Sequence, residues 1–462
     1  MLILGLLLPA FLGHLIVQLI LRRQKIPFLC SVALGYGIGT GILTHLMLVL
    51  GFFHIPYTFR NITSFLIVLA IPLMIFFIKM QRKSLLSFSV TSNPSQAKPS
   101  WIELTLIGYI FFQAYFILLS ASTIPVLSWD SVASHSFIAK IIFYDRSLIH
   151  HLNFPHTDYP IHTPLLESWV TIAFGKWDDI VINIPFPLTL MCLAIFIYFF
   201  LIHFTSSRWA LSGVALLLTS NLLIYHASIP YRDLPLLYYS CIAIMSLILW
   251  YRSQEQGWIW VAAIFSGLGS FVKVEGYGYV GLHIAIFCFL LWQTPSQNFK
   301  NKIFSFGKFL LPAIGITSIY LLYKHFVFPA PEISSVISLE PGWRDIRLAL
   351  SQEHFEHIPT VLGLILKDLF LSGNWNMTWF LLLISVWRWV TTDTSSKEIQ
   401  VLLLTLAFFI AASLFLFSFT QHYIWFIKGT VLSRLILHFY PLAVILIILI
   451  NTPSKFKSDK NI

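Results

Sequence analysis

Charge is what this 462-residue chain has least of: Asp, Glu, Lys and Arg together make up 10%. Ordinary soluble domains carry about a quarter, so a single water-soluble globule is excluded. Cysteine is scarce too. Cys30, Cys192, Cys241 and Cys288 lie singly within apolar runs, which excludes a disulfide framework and a zinc knuckle. No repeat recurs at a solenoid period, and no matching pair of interrupted apolar segments marks the two halves as a transporter's would. No basic stripe lies on a soluble segment, so the net charge of +10 is not a nucleic-acid footprint.

Apolar surface is what the chain has in excess: 57% hydrophobic, 16% aromatic, mean hydropathy +0.81. Runs near the roughly 20 residues that cross a bilayer recur at 2–21, 28–50, 63–79, 102–122, 180–203, 209–226, 234–250, 257–272, 277–292, 309–328, 377–391, 399–420 and 431–450. The expectation is an all-α polytopic membrane protein with about thirteen transmembrane helices. The first run lacks a basic flank and a small-residue cleavage site, so it counts as a span rather than a signal peptide.

Basic residues orient the bundle. Arg22, Arg23 and Lys25, then Lys79, Arg82, Lys83 and Lys98, then Arg208, Arg252, Lys300, Lys302, Lys308, Arg388, Lys397, Lys455, Lys457 and Lys460 close alternate connections. The positive-inside rule makes that side cytoplasmic. The N-terminus is then outside, the C-terminus inside, and two long polar connections, 123–179 and 329–376, lie outside.

The first outer loop begins SWDSVASHSFIAKIIFYDRSL. Phe137, Ile138, Ile141 and Ile142 repeat as one greasy helical face; Leu165, Leu166, Trp169 and Val170 do the same after Thr163-Pro164, a helix start. Two helices too short to span are expected to lie as amphipathic helices in the interface plane. The turn HTDYPIHTP, residues 156–164, joins them. His156 and His162 stand six apart with no cysteine nearby, which fits no standard zinc pattern; a structural or solvated role is the stronger reading. Asp130 reads either as a helix cap or as a functional acid, and Asp158 as a turn residue or a second acid. Farther on, IPYRDLPL places Arg232 and Asp233 at the start of a span. GLGSFVKVEGYGYV puts Lys273 and Glu275 in a tight outer connection, as an ion pair or as functional groups. TVLSRLILHFYPL carries Arg434 into an apolar run ahead of His438 and Tyr440. There it needs an anionic partner, a carboxylate or a lipid phosphate. EHFEH in the second outer loop, with Glu353, His354, Glu356 and His357, has metal-like spacing but no evident third ligand, and reads as a solvated face.

In this order the segments resemble those of the GT-C superfamily of membrane glycosyltransferases, which includes protein mannosyltransferases, the aminoarabinose transferase of lipid A and oligosaccharyltransferase. Trp129-Asp130-Ser131 matches the family's loop aspartate, and His156-Thr157-Asp158-Tyr159-Pro160 is similar to its "HPDYP" turn. Tyr231-Arg232-Asp233-Leu234-Pro235 and Lys273-Val274-Glu275-Gly276 resemble its "ADLP" and "KNEG" segments. The resemblance covers roughly 100–290. It implies a catalytic module over 101–328, with three added N-terminal spans and a linker in 1–100 outside that module; the second outer loop at 329–376 matches no family segment, and C-terminal spans with a basic tail fill 377–462. It further implies an inverting transfer of a sugar from a polyprenyl-phosphate donor to a hydroxyl on a glycan, lipid or protein, at the outer face of a bacterial plasma membrane. Asp130 and Asp158 would be the catalytic acids. Lys273, Arg434 and Arg232 would hold the donor phosphate, supported by His156, Tyr159, Asp233 and Glu275. The family often has two adjacent acids at the loop aspartate; here Ser131 follows Asp130, so no metal or other cofactor is expected. A polysaccharide polymerase or ligase is the nearest alternative, and a transporter the next.

Overall fold

The computed structural model describes residues 1–24, 26–85, 98–148, 159–294, 298–327, 352–392, 396–420, 423–429 and 431–453. All regular structure among them is helical. Among the described residues, nine helices are long and apolar enough to cross a membrane, or ten with one bent pair counted as a span. The chain is an all-α, multi-pass membrane protein. Its helices form two units, Met1–Phe199 with Ala227–Phe328 and Phe200–His226 with Pro329–Ile462.

In the first unit, α1 (Leu2–Ile20) and α2 (Phe28–Phe52) pack closely. Small residues in GYGIGTG allow it: a Cβ on Gly39 would meet the Pro9 carbonyl, and one on Gly13 the Gly35 carbonyl. The third helix, α3 (Phe59–Leu85), rests on α1 and α2. Next, α4 (Trp101–Thr123) starts in a capping box, with the Ser100 amide donating to Glu103 Oε2 at 2.8 Å and the Glu103 amide to Ser100 Oγ at 3.3 Å. It buries only Ile117 and Ala121. Its lower end is tied to the 3-10 turn Val181–Asn183 by Asn183 Nδ2, which donates to the Ile124 carbonyl at 2.9 Å.

The first outer loop then forms a π-helical turn, Ser131–His135, followed by α5 (Ser136–Asp145) and, after the connection, α6 (His162–Phe174). The inner face of α5 is Ile138, Ala139, Ile142 and Phe143; Phe137, expected on that face, is 40% exposed. The second helix departs further from expectation. It begins at His162, placing Pro164 at its third position, and every residue from His162 to Ala173 is buried. It is an internal helix, not one lying at an interface, because α1, α2, α3 and α5 all pack around it. The remaining members are α7 (Pro185–Ile202), the wholly buried α10 (Asp233–Ser253), α11 (Gly257–Ser270), α12 (Glu275–Trp292) and α13 (Phe299–Val327), with α8 (Ser207–Leu217) and α9 (Asn221–Ser228) between α7 and α10 in sequence. His283 ties three of these together: Nε2 bonds Ser240 at 3.1 Å and Nδ1 bonds Ser266 at 2.9 Å.

The second unit holds α8 and most of α9, then α14 (Gln352–Leu371), α15 (Thr378–Thr392), α16 (Lys397–Phe419), α17 (Tyr423–Ile427), α18 (Leu432–Leu437) and α19 (Tyr440–Asn451). The last of these packs on α8, α15 and α16. Here two expected spans are broken. The run at 209–226 bends by 73° between α8 and α9, where Ser220 Oγ accepts from the Leu223 amide at 3.2 Å and so starts a new helix. The run at 431–450 breaks at 438–439 ahead of Pro441, which sits in the first turn of α19 and cannot continue a helix entering from α18. Two more are shorter than a bilayer needs: α11 has 14 residues and α15 has 15.

Candidate active site

The chemistry-bearing segments of the first unit meet where α10 and α12 begin. Asp233 is the first residue of α10 and Glu275 the first of α12, each at the helix end that favours negative charge. Lys273 projects from the connection between α11 and α12. Its Nζ lies 2.9 Å from Asp233 Oδ1 and 2.8 Å from Glu275 Oε1. The Lys273 side chain is 7% exposed and that of Asp233 fully buried. The expected local pair with Glu275 is therefore present, and the closer enclosure comes from Asp233, forty residues away in sequence.

Arg232, just before Asp233, is 1% exposed. Its guanidinium carbon lies 5.1 Å from the centre of the Tyr159 ring, a cation–π arrangement. The Tyr159 carbonyl accepts from the Tyr320 hydroxyl at 3.1 Å, which fixes the end of the HTDYP turn. The Asp130 turn reaches the same place. Ser131 Oγ donates to the Pro230 carbonyl at 3.2 Å, and the His135 and Tyr231 rings meet edge-on at 6.4 Å. Four segments distant in sequence, at 129–131, 159–160, 231–235 and 273–276, thus share one locality.

Asp130 itself is half-buried. Its backbone is helical and its carboxylate makes no capping hydrogen bond to the turn it precedes, so the helix-cap reading does not describe it. Asp158 and His156 lie outside the described residues. Arg434 belongs to the second unit, half-buried on the short helix α18. The next residue back, Ser433, donates to Asp368 Oδ1 at 2.6 Å. Burial raises the Asp368 carboxyl, against hydrogen bonds from Ser433, Trp375 and Ser372. In EHFEH, His357 stacks on Tyr423 at 3.7 Å and bonds the Ser418 carbonyl at 3.2 Å; the His354 side chain lies outside the description. Among the described residues no group of three His, Cys, Asp or Glu side chains could hold a metal ion.

His162 is an internal strut. Nδ1 bonds Thr44 at 2.9 Å, its amide reaches the Phe271 carbonyl at 3.4 Å, and its ring packs edge-on against Tyr239 and Phe271. Burial, with a smaller push from His45, lowers it to about 3, so it is neutral across the physiological range.

Sequence reasoning missed Glu167. It lies in mid-α6 among Leu165, Leu166, Trp169 and Val170 and is fully buried. Burial pushes its carboxyl up to about 8, against opposing pulls from the Ser136 hydroxyl and the Arg232 guanidinium. Ser136 opens α5 directly after the Asp130 turn. The signal in the sequence was a lone acid inside a short apolar helix.

The folded pKa of Glu167 is raised above the ordinary value of 4.5 to about 8. Its proton therefore stabilises the fold fully below about pH 4.5, and that contribution is lost as pH rises to about 8. Glu167→Gln does not titrate. Its stability relative to wild type should improve by about 3 kcal/mol between pH 5 and pH 8. Paired thermal melts of the detergent-solubilised proteins measure this, and parallel pH profiles would contradict a buried protonated carboxyl. The chain matches no protein-family model, no curated protein and no solved structure.

Proposed function

We propose that this protein is a membrane glycosyltransferase of the GT-C type, moving a sugar from a polyprenyl-phosphate donor to a hydroxyl acceptor at the outer face of a bacterial plasma membrane. The observation that carries this reading is the convergence of the four family-like segments on one buried charged locality. Ser131 meets Pro230, Arg232 meets Tyr159, and Asp233 meets Lys273.

The chemistry asks for a carboxylate near the membrane surface, cations for a departing phosphate and apolar walls for the lipid. Asp130, half-buried at the mouth of the first loop, takes the acceptor proton as the new bond to the anomeric carbon forms. The bond from that carbon to the phosphate oxygen breaks as it does so, with inversion, and the electron pair leaves on the lipid phosphate. Arg232 is the leading cation for that phosphate, because a guanidinium offers a planar fork of donors. Lys273 is shared by two carboxylates and acts mainly by fixing them. Arg434 is a separate donor-phosphate candidate in the second unit. Asp158 remains a second acid for the acceptor.

The direct test reconstitutes the purified chain in liposomes with a panel of polyprenyl-phosphate hexoses and follows free polyprenyl phosphate. Release that depends on an added hydroxyl acceptor is the expected result. Absence of release across the panel, from protein that is folded and monodisperse, counts against the reading.

A further inference from the structure

Between the end of α4 and the Asp130 turn the chain is inside out for a segment meeting water. The side chains left on the surface are apolar: Leu127 is 76% exposed, Trp129 78% and Val132 53%. The polar residues between them are buried. Ser128 Oγ donates to Ser131 Oγ at 2.8 Å, and Ser131 Oγ donates to the Pro230 carbonyl at 3.2 Å. A segment folded against water turns its serines out and its large apolar side chains in. Asp130 is the only charged residue from 122 to 134, and it is half-buried.

The outward side of this lip continues the exposed face of a membrane helix. α4 is long and apolar enough to cross a bilayer and buries only Ile117 and Ala121. Tyr115, Phe116, Leu119 and Ile124 carry its exposed face on to Leu127. Hydrogen bonds hold the lip to that helix end. Asn183 Nδ2 donates to the Ala121 carbonyl at 3.3 Å and to the Ile124 carbonyl at 2.9 Å, and the Val126 amide donates to the Asp179 carbonyl at 3.1 Å. An exposed apolar patch of this kind marks a surface that something covers, and an indole at the end of a lipid-facing helix suits the headgroup level of a bilayer. A lip that held a soluble sugar or a peptide would display several hydrogen-bonding side chains.

We propose that the lip at 124–132 is seated in the lipid of the bilayer, and that the hydroxyl acceptor meeting Asp130 is carried by a membrane lipid. The acceptor half rests on the glycosyltransferase reading; the seating does not. Lipid around Leu127, Trp129 and Val132 removes their apolar area from water. The same seating holds the Asp130 carboxylate beside the headgroups. A headgroup hydroxyl then arrives by diffusion in the membrane plane, at the raised effective concentration that confinement to a surface gives.

Two measurements on the full-length chain in phosphatidylcholine–phosphatidylglycerol vesicles test this. For the first, Leu127→Cys and, separately, Val132→Cys are labelled with bimane in a Cys288→Ser background, because Cys288 is the exposed native thiol. Lys176→Cys, where the native side chain is 70% exposed, is the aqueous control. Nitroxides on lipid acyl chains should remove most of the emission at 127 and 132, and iodide should remove little; at 176 the order should reverse. Either position suffices if the other variant does not fold. Iodide quenching at 127 and 132 equal to that at 176 overturns the seating. Protection from both quenchers also overturns it, because a second copy or another protein then covers the lip. For the second, a panel of polyprenyl-phosphate hexoses is offered glycosides on dioleoylglycerol or as soluble methyl glycosides. Release of polyprenyl phosphate should be about tenfold or more faster with the lipid-borne form at equal bulk concentration. Equal rates overturn the lipid acceptor and leave the glycosyltransferase reading intact. No release with either form removes that reading and the acceptor half together, and the quenching result then decides the lip by itself.

Discussion

Lys273→Met is expected to destabilise the protein by about 3–5 kcal/mol, the usual consequence of removing one member of a buried ion pair. The sequence alone suggests that neutralising Lys273 weakens donor binding while leaving stability nearly unchanged. The geometry argues for a structural effect as well. Lys273 Nζ bonds Asp233 at 2.9 Å and Glu275 at 2.8 Å, and the Asp233 side chain has no exposed surface. Without the ammonium, two carboxylates at adjoining helix starts face one another in a medium that solvates neither well. Methionine replaces the stem of the lysine in length, so packing changes little and the electrostatic loss dominates. Thermal midpoints of detergent-solubilised wild type and variant provide the measurement. Adding Asp233→Asn should recover part of the loss, because it removes the more deeply buried carboxylate. A Lys273→Met protein that melts with wild type yet fails to bind the donor would return Lys273 to the role of phosphate ligand.

How far the fold could be read follows from what apolarity reports. A long apolar run identifies a helix out of water, and α1 to α4 lie near their expected places. Apolarity does not separate a span from an internal helix, and α11, at 14 residues, is too short to cross alone. Nor does it register a break. Thr219-Ser220-Asn221 looks like a minor polar interruption, yet Ser220 caps a new helix there, and Pro441 ends the continuity of another.

The misreading of α6 is more instructive. Leu165, Leu166, Trp169 and Val170 read as the one greasy face of a helix in the interface plane, but Glu167, Ser168 and Thr171 stand on the same short helix. All of them are buried. Ser168 satisfies its hydroxyl with the Ala139 and Pro164 carbonyls at 3.0 and 2.7 Å, and Thr171 bonds the Glu167 carbonyl at 3.2 Å. Small polar residues that bond backbone within a turn do not require water. At the site, the order and residue types of the segments were legible, as was the Lys273 pairing with Glu275 two positions on. The Asp233 contact was not, because nothing local in sequence encodes an approach across forty residues.

Asp130→Asn is expected to lower sugar transfer by about 10²–10⁴-fold, the range for losing a positioned general base, while leaving the protein folded. The two halves of this expectation have separate grounds. The fold does not depend on Asp130 as a cap, because its carboxylate does not cap the turn that follows. That turn is fastened by its neighbours instead: Ser131 Oγ donates to the Pro230 carbonyl at 3.2 Å, and Ser128 Oγ to Ser131 Oγ at 2.8 Å. Asparagine keeps the shape and hydrogen-bonding reach of aspartate but cannot accept a proton at neutral pH, so it isolates the proton transfer from the geometry. Trp129 beside it is 78% exposed, which leaves the residue at the edge of the fold, where an acceptor hydroxyl can approach. Transfer is followed as acceptor-dependent release of polyprenyl phosphate under single-turnover conditions, so that slow product release does not mask the chemical step. Loss of release with an unchanged melting profile supports Asp130 as the base. Near-normal release in a folded Asp130→Asn protein assigns the proton to another carboxylate, with Asp158 the next to replace.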